Sequence, residues 1–362
     1  MTRLTLLTTN LARGGAETQV AQLAMALRRR GWDVQVIALL PPTAFTEELA
    51  AAGVPAISLD MRPGAPNPLG LFRLLRHLRR FRPRILHAHM FHANLMARAA
   101  RLLYPVPVVV STIHSLAETS RASASVRGRD LLYRVTDILS DATVCVSPAV
   151  AKRHLAARAI SRARVIPNGV DTSRFRPGAG GRARLREALG IGDRFAWLAA
   201  GRLMWKKDYP TLLRAMAKQP SGILLMAGEG PLEAELRGLA GANVRFLGGR
   251  ADVPELMDAC DGFALSSVIE GLPMVLLEAA AAGLPAVATE AGAGAVVDGK
   301  TGFVVPAGDP DALASAMQRL AGLPREAREA MARAAREHAV AHFEMERAVA
   351  EWERLYGELG GT

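Results

Sequence analysis

Short apolar runs alternate with longer amphipathic stretches along this chain. Residues 4–8 and 34–39 are compact runs suited to buried strands, and residues 16–30 between them have the spacing of a helix. The pattern recurs at later runs, 85–88, 106–110, 142–146, 195–200, 223–227, 244–247, 263–265 and 284–289. Strands that alternate with helices predict parallel sheets covered by helices on both faces. We therefore expect an α/β protein with doubly wound parallel sheets.

Two acidic residues surround one predicted helix start. The run 263–265 is followed by a loop with Glu270, then by a helix over 274–282 that contains Glu278, with Pro273 at its first position. The N–H groups near Gly271 and Leu272 would be unpaired at the positive end of the helix dipole, which suits a phosphate. The two carboxylates could accept bonds from sugar or ribose hydroxyls. The spacing leaves open the alternative of a solvent-facing helix acid and an ordinary loop acid.

Glu270 and Glu278 stand in the frame SxxEGLPxxLLEAxAxGLPxVAT. This frame resembles the donor-site signature of retaining family 4 glycosyltransferases. The resemblance implies the GT-B fold, in which two Rossmann-like domains face each other across a cleft. It also implies that Glu270 contacts the transferred sugar, that Glu278 holds the nucleotide ribose, and that the residues between them bind the donor, namely Gly271, Leu272 and Pro273.

A glycine-rich turn follows the first predicted strand. Gly14 and Gly15 allow the backbone to approach a ligand closely. The turn is not GxGxxG, and no acid ends the second predicted strand, so a dinucleotide site is disfavoured. The resemblance places this GGAE loop against the donor diphosphate and sugar, and a purely structural tight turn is the alternative.

Two cations follow the run 195–200 in the segment GRLMWKK. Arg202 offers a forked set of donors and Lys207 a point charge, and both suit phosphate. The segment resembles the family's pyrophosphate clamp, and two surface cations placed by chance are the alternative. Asp208 stands where the family commonly has glycine. The acid that the family usually carries shortly before its DGxTG stretch is absent, since Gly294 or Ala295 occupies that place.

Histidines lie at two predicted strand ends. His87 and His89 share a face of the strand 85–88 by its two-residue period. With no carboxylate or cysteine nearby in sequence, a metal site is disfavoured, and the resemblance places this HAH segment on the acceptor side of the cleft. Arg84 replaces the family's usual acid, so contacts of that acid do not carry over. His114 follows the run 106–110, where the family has a histidine close to the donor sugar. His114 and Glu270 are the predicted catalytic residues.

The net charge of +11 is concentrated in the first half of the chain. Residues 1–175 contain 24 Lys+Arg and 10 Asp+Glu, and residues 61–117 contain nine arginines and no acid. Such a stretch attracts an anionic membrane surface or a polyanion, although a generally arginine-rich composition would also produce it. The segment 66–82 is a basic amphipathic helix that either lies on a membrane or packs in the domain with a solvated arginine face. Aromatic residues are scarce (5%) and no nucleic-acid module is recognised, so nucleic acid is not an expected partner.

The remaining features concern the cellular compartment of the protein and whether it needs a metal or another cofactor. Two cysteines far apart exclude a disulfide scaffold and fit a reducing cytoplasm. No apolar stretch is long enough for a transmembrane helix, and we interpret the first residues as a strand and not as a signal peptide. Residues 120–129 are predicted to be a mobile loop that forms part of the acceptor site. Asp309-Pro310-Asp311 is typical of a helix cap, so we expect neither a metal nor another cofactor.

These inferences define a two-domain transferase. We expect an acceptor-side domain at 1–172, which the terminal helix 345–362 joins in the resembled fold, and a donor-binding domain at 176–342. The implied reaction moves a sugar, with retention, from a nucleotide-diphosphate donor such as a UDP-sugar to the hydroxyl of a lipid-linked or cell-surface glycan precursor. The protein would be cytoplasmic and peripheral to the inner face of the membrane. A nucleotide-sugar epimerase of the same fold is the alternative.

Overall fold

The structure, a computed structural model, describes residues 2–62, 68–116, 123–178, 180–219 and 221–360. It divides into two compact units, one formed by Met1–Gly169 with Met345–Thr362 and the other by Val170–Glu344. The strands are β1 (Arg3–Thr8), β2 (Asp33–Ala38), β3 (Ala56–Ser58), β4 (Ile85–His89), β5 (Val108–Ile113), β6 (Ala142–Cys145), β7 (Arg164–Val165), β8 (Ala196–Ala200), β9 (Ile223–Ala227), β10 (Val244–Gly248), β11 (Gly262–Leu265), β12 (Ala286–Thr289) and β13 (Gly302–Val305).

The α-helices of the described residues fill the connections between these strands. They are α1 (Gly15–Arg29), α2 (Thr46–Ala51), α3 (Pro68–Phe81), α4 (Phe91–Leu103), α5 (Ser123–Thr136), α6 (Pro148–Ala156), α7 (Arg182–Ala188), α8 (Tyr209–Ala217), α9 (Glu233–Leu239), α10 (Val253–Ala259), α11 (Met274–Ala281), α12 (Pro310–Ala321), α13 (Arg325–Phe343) and α14 (Met345–Glu358). Short 3-10 turns occur at Asp137–Leu139, Trp205–Lys207 and Glu290–Gly292.

The first unit is built on a parallel sheet with strand order β3-β2-β1-β4-β5-β6-β7. Successive side chains of a strand point to opposite faces, so Leu6 joins the core under α1 and α14 whereas Leu7 joins the core under α3 and α4. The predicted doubly wound arrangement is confirmed. Trp352 and Tyr356 of α14 are buried in the first of these cores.

Helix α3 packs as an ordinary domain helix. Its residues Leu74, Leu75 and Leu78 are buried in the core with Leu7. The centre of the apolar stripe that could have contacted a membrane is therefore buried against the sheet. The arginines lie on the opposite, more solvated side of the helix. Of the two alternatives left open for the segment 66–82, the structure favours the domain helix; residues 63–67 lie outside the described part of the chain.

The predicted mobile loop at 120–129 is wrong for residues 123–129, because α5 begins at Ser123; residues 117–122 are outside the described residues. The buried Arg98 anchors the end of this helix. Its guanidinium donates to the Tyr133 carbonyl (3.2 Å) and to Thr136 Oγ1 (3.0 Å) and lies 5.2 Å from the centre of the Tyr133 ring. The polar start of α5 thus continues into a turn that is anchored by contacts distant in sequence.

The second unit is built on a parallel sheet with strand order β10-β9-β8-β11-β12-β13. Trp197 of β8 and Phe303 of β13 lie in one core with α8 and α12. Asp309 caps α12 by accepting from the N–H groups of Asp311 (3.0 Å) and Ala312 (2.9 Å). The predicted helix cap is therefore confirmed.

Each sheet reverses its strand order at one place, between β1 and β4 in the first and between β8 and β11 in the second. In open α/β sheets, ligands bind outside the carboxyl ends of the strands at such a point. The histidine and glycine-rich segments follow the first pair or its neighbour β5, and the cations and acids follow the second pair. No helix in the described part of the chain is both long and apolar enough to cross a bilayer.

Candidate donor-binding site

The carboxyl ends of β8 and β11 bring together three predicted site residues of the second unit. Arg202 and Lys207 follow the end of β8, and Glu270 follows the end of β11. Because the two strands are adjacent and parallel, the loops that leave them emerge at the same edge of the sheet. The sequence motifs, about sixty residues apart, thus form one site.

An ion pair lies at the centre of this site. Lys207 Nζ lies 2.7 Å from Glu270 Oε1, and the side chains are only 16% and 17% exposed. The hydroxyl of the buried Ser267 donates to the same carboxylate oxygen at 2.8 Å. The other oxygen, Glu270 Oε2, has no hydrogen bond within the described residues, so it remains available to a sugar hydroxyl.

Backbone contacts hold the two loops together. Ser266 Oγ donates to the Lys207 carbonyl at 2.7 Å, and the Val268 N–H donates to the Lys206 carbonyl at 2.9 Å. Gly201 has a φ of +144°, which L side chains rarely adopt, and a Cβ there would lie 3.2 Å from Lys207 Cε. Glycine at this position allows the Lys207 side chain to cross the end of β8 toward Glu270.

Arg202 differs from Lys207 in its surroundings. Its side chain is exposed, and it makes no hydrogen bond or ion pair with any described residue. A guanidinium without an internal partner can bind a diphosphate at little cost, because no existing contact is lost. Arg202 is therefore a cation of the site without an ion-pair partner among the described residues. Lys207 is already paired with Glu270, so an anionic ligand would compete with that carboxylate for it.

Glu278 lies on α11, and its side chain has no hydrogen bond to any described residue. Burial of its carboxyl raises the pKa to about 7, and the nearby charges of Arg174 and Lys207 offset only part of this effect. The residue keeps some exposed surface. A partly buried carboxylate with no internal partner, close to two cations, is suited to accept hydrogen bonds from ribose hydroxyls.

The helix start differs slightly from the prediction. Pro273 is the residue before the first helical position, with φ −72° and ψ 107°, and α11 begins at Met274. No side chain caps this end, and Leu272 and Pro273 are buried. Gly283 follows the helix with a φ of +70°, as expected of a glycine that ends a helix.

The glycine turn of the first unit lies at the start of α1. Gly14 precedes the helix and Gly15 is its first residue. A Cβ on Gly14 would lie 2.5 Å from Glu17 Oε2, so glycine allows the buried Glu17 carboxylate to fold back over the turn. This close packing supports the structural alternative for Gly14, and it leaves the proposed donor contact open.

His89 and His114 form a hydrogen-bonded pair at the ends of β4 and β5. His89 Nδ1 lies 3.0 Å from His114 Nε2. Burial lowers the pKa of His114 to about 4 and that of His89 well below its usual value, so both rings are neutral at pH 7. Their outer nitrogens, His89 Nε2 and His114 Nδ1, are buried and have no hydrogen-bond partner among the described residues. In either tautomeric arrangement the pair offers a ligand one donor and one acceptor.

His87 is placed differently from its neighbour. It is fully buried, and its ring nitrogens lie 2.7 Å from Tyr356 Oη and 2.7 Å from Thr112 Oγ1. Its ring also packs against Trp352, with centroids 4.5 Å apart. His87 thus attaches α14 to the sheet and has no free ring nitrogen for an acceptor, whereas His89 keeps one.

Sequence reasoning missed three contributors to these sites. Ser267 stood inside the recognised frame without an assigned role, and Arg174 is distant in sequence from the Glu278 it stabilises. The pairing of His89 with His114 could have been inferred from the adjacency of their strands. The described residues contain no cluster of three or more His, Cys, Asp or Glu that could hold a metal ion.

Comparisons with known proteins agree with this architecture. Residues 13–174 match the model of Glycosyltransferase Family 4, and residues 194–322 match that of Glycosyl transferases group 1. The chain is 32% identical over 300 residues to the putative glycosyltransferase EpsF of Bacillus subtilis, covering 77% of this chain and 76% of EpsF. It is 28% identical over 279 residues, 69% of each chain, to the Escherichia coli UDP-Gal:alpha-D-GlcNAc-diphosphoundecaprenol alpha-1,3-galactosyltransferase.

A solved structure supports the fold. HepE of Anabaena, crystallised with UDP and glucose, superposes with a TM-score of 0.86 over 99% of this chain and 100% of HepE, at 22% identity. The two parallel-sheet domains are those of GT-B glycosyltransferases. With the family models and EpsF, this identifies the chain as a glycosyltransferase that belongs to family 4.

Proposed function

We propose that this glycosyltransferase moves a sugar from a UDP-sugar to a hydroxyl acceptor, with retention at the anomeric carbon and without a metal. The convergence of Arg202, Lys207, Glu270 and Glu278 at the strand-order reversal of the second sheet carries this proposal. Two cations and two acids within one site match the parts of a nucleotide-diphosphate sugar: diphosphate, transferred sugar and ribose.

The leaving group determines what the site must do. The bond between the anomeric carbon and the diphosphate oxygen breaks, and negative charge develops on the diphosphate. Arg202 and Lys207 would stabilise that charge by direct contact, which is commonly the largest contribution to such a reaction. The acceptor oxygen attacks from the face that the diphosphate leaves, and its proton passes to the departing phosphate oxygen. No carboxylate nucleophile is needed in this scheme.

The remaining groups would hold the donor in place. Glu270 Oε2, the oxygen left unpaired by Lys207 and Ser267, would accept from a sugar hydroxyl. Glu278 would accept from the ribose. His114, neutral at pH 7, would hydrogen-bond to the sugar through its unpaired Nδ1, and Gly14 and Gly15 would allow the diphosphate to approach the start of α1.

We further propose that the acceptor is lipid-linked and that the protein works at the inner face of the membrane. The name of the E. coli relative gives a diphosphoundecaprenol-linked acceptor and a UDP-sugar donor for that enzyme. The charge of this chain supports a similar setting, because its first 175 residues carry 24 cations and 10 acids. His89, with its unpaired Nε2, is the stronger acceptor-side candidate of the two histidines in β4.

A thermal-shift screen against UDP-, GDP- and ADP-sugars, with and without EDTA, tests the donor. A UDP-sugar should raise the melting temperature by mass action, and EDTA should leave the shift unchanged. No shift with any donor would contradict the proposed donor site, and a shift abolished by EDTA would contradict metal independence. Conversion of the donor sugar to an epimer in the absence of acceptor would favour the epimerase alternative.

A further inference from the structure

An apolar ridge runs along the outer side of α5. Leu131, Val135 and Ile138 are 58%, 60% and 89% exposed, although most large apolar side chains of the first unit are buried. At 3.6 residues per turn, Leu131 and Val135 fall with Arg127 and Arg134 within an arc of about 100° on α5, and Ile138 follows in the 3-10 turn Asp137–Leu139. The ridge is therefore a continuous surface on which apolar and cationic side chains alternate.

A groove continues this ridge toward α6. Its volume is about 620 Å³, and it is open to solvent. Ile138 and Leu155 contribute to its apolar lining, and Arg134, Arg158 and Asp137 are its charged residues. We call the surface formed by Leu131, Arg134, Val135, Ile138, Leu155 and Arg158 the α5–α6 face.

The acid in this groove is already neutralised from within the unit. Asp137 accepts from Ser161 N–H (2.8 Å) and Ser161 Oγ (2.7 Å) and lies 3.6 Å from the buried Arg98 guanidinium. By contrast, Arg134 and Arg158 have no ion pair or side-chain hydrogen bond with any described residue. The groove therefore presents two uncompensated positive charges beside exposed apolar groups.

The two other acids near the face are also paired. Asp130 forms a two-point contact with Arg153 (2.5 and 2.9 Å), and Asp141 forms one with Arg101 (2.5 and 3.1 Å). Since no unpaired carboxylate lies beside the ridge among the described residues, their charges make the electrostatic potential of the α5–α6 face positive. The partner that such a face fits is negatively charged and has an apolar layer directly behind the charge.

We propose that the α5–α6 face docks onto an anionic lipid bilayer, with Leu131, Val135 and Ile138 entering the acyl boundary and Arg134 and Arg158 binding lipid phosphates in the groove. An amphipathic surface that combines apolar insertion with basic residues binds an interface in this way. This deepens the proposed function, from which it takes the lipid-linked acceptor, by assigning the membrane contact to one face.

Two other arrangements fit the observations less well. Helix α3 is richer in arginine and exposes Leu69 and Phe72 near its start, but Leu74, Leu75 and Leu78 along the rest of the helix are buried against the sheet. A second copy of the chain would bring the same unpaired arginines against each other, and like charges across an interface oppose association. An anionic bilayer neutralises Arg134 and Arg158 and covers the ridge at the same time.

Flotation of the full-length protein with vesicles tests the proposal without any assay of activity. The protein should bind vesicles of equimolar phosphatidylglycerol and phosphatidylcholine and not those of phosphatidylcholine alone. At about 1 kcal/mol per basic residue near the surface, Arg134→Gln with Arg158→Gln should weaken binding about thirtyfold. Val135→Ser with Ile138→Ser should weaken it at high salt as well as at low salt, since the apolar contribution is not screened.

Arg76→Gln with Arg79→Gln on α3 is the matched control, because it removes the same charge from another exposed surface of this unit. Equal loss in this control would overturn the assignment to one face, and so would unchanged binding in both α5–α6 variants or no binding by the parent protein. A dimer that Val135→Ser with Ile138→Ser dissociates, with vesicle binding unchanged, would identify a second copy as the occupant and also overturn it. A thermal shift with UDP-sugars on the same variants tests the donor site separately.

Discussion

Lys207 Nζ and Glu270 Oε1 lie 2.7 Å apart, at the ends of two strands that are adjacent in the sheet but distant in sequence. The proposed diphosphate-binding cation is therefore already paired with the proposed sugar-binding acid. A diphosphate that approaches Lys207 competes with Glu270 for the ammonium, and a sugar that engages Glu270 must share it with Lys207. In the proposed donor complex, the diphosphate and the sugar would therefore be recognised by groups whose charges are coupled.

Glu270→Gln should separate nucleotide binding from sugar transfer. Removal of the carboxylate frees Lys207, so UDP, which carries no sugar, should bind at least about fivefold more tightly, corresponding to about 1 kcal/mol, the upper end for an exposed ion pair. Transfer from the UDP-sugar should fall by about a hundredfold, because the contact to the sugar is weakened. Calorimetric titration with UDP and single-turnover kinetics measure the two effects. A variant that transfers sugar as fast as the parent would remove the role assigned to Glu270.

Arg202→Gln and Lys207→Gln should each weaken UDP binding by about 10- to 100-fold, since a hydrogen bond to a charged group contributes about 1.5–3 kcal/mol. Lys207→Gln should also slow transfer more than Arg202→Gln does, because Lys207 holds Glu270 and Arg202 has no partner among the described residues. Lys218→Gln, a change of an exposed lysine in the same unit, is the control and should leave UDP binding unchanged. Equal UDP affinity in all three variants would contradict a diphosphate site here.

Ser267→Ala should lower kcat about tenfold with little change in the KM for donor. The hydroxyl donates to Glu270 Oε1 from a fully buried position, so its loss removes about 1.4 kcal/mol or less from the positioning of the carboxylate and nothing from the diphosphate contacts. If Ser267 acts through Glu270, the double variant with Glu270→Gln should be no slower than Glu270→Gln alone. Additive losses would show that Ser267 has a separate role.

Glu278→Gln should make the protein more stable above neutral pH while weakening donor binding. Burial raises the pKa of Glu278 from 4.5 to about 7, so the folded state holds its proton more tightly than the unfolded chain, and stability declines as pH rises between those values. Gln removes this decline. The gain in unfolding free energy should be small at pH 4 and reach about 3 kcal/mol at pH 8.

Urea unfolding at pH 4 and pH 8, with a UDP-sugar titration at pH 8, measures both effects. The same substitution at the exposed Glu329 is the control: the hydrogen bond from Arg325 lowers the pKa of that carboxyl, so its removal should give no gain in stability at pH 8. A Glu278→Gln variant that is less stable than the parent at pH 8 would contradict the raised pKa.

His114 should remain neutral through the physiological range. Burial holds its pKa at about 4, against 6.5 for a solvated imidazole, so the unfolded chain takes up this proton first on acidification and stability falls as pH drops from about 6.5 toward 4. In an NMR pH titration the imidazole signals of His114 should not shift between pH 5 and 8. In His114→Asn, the acid-side loss of stability should be smaller. Titration of the ring near pH 6.5 would contradict the buried pair with His89.

The fold and the outline of the site could be predicted because their signals are local. Alternation of apolar runs with helical stretches predicted both sheets, and the frame that contains Glu270 and Glu278 identified the family. The same method failed at residues 123–129, where a polar segment forms the start of α5. Its anchor, Arg98, lies more than twenty residues earlier in the chain, and local periodicity carries no information on such a contact.

The sequence by itself determined the α/β architecture, the family and the candidate residues of the donor site, because strand period, helix period and motif spacing are properties of neighbouring residues. The tertiary structure alone decided the state of each group. It paired Lys207 with Glu270 and raised the pKa of the Glu278 carboxyl. Both ring nitrogens of His87 have hydrogen-bond partners, whereas one ring nitrogen of His89 has none among the described residues. The fold also exposes Ile138 and buries Leu78. The burial of a group and its hydrogen-bond partners depend on atoms that the fold brings together from distant parts of the chain. A pattern of residues that are adjacent in sequence carries no information about these contacts.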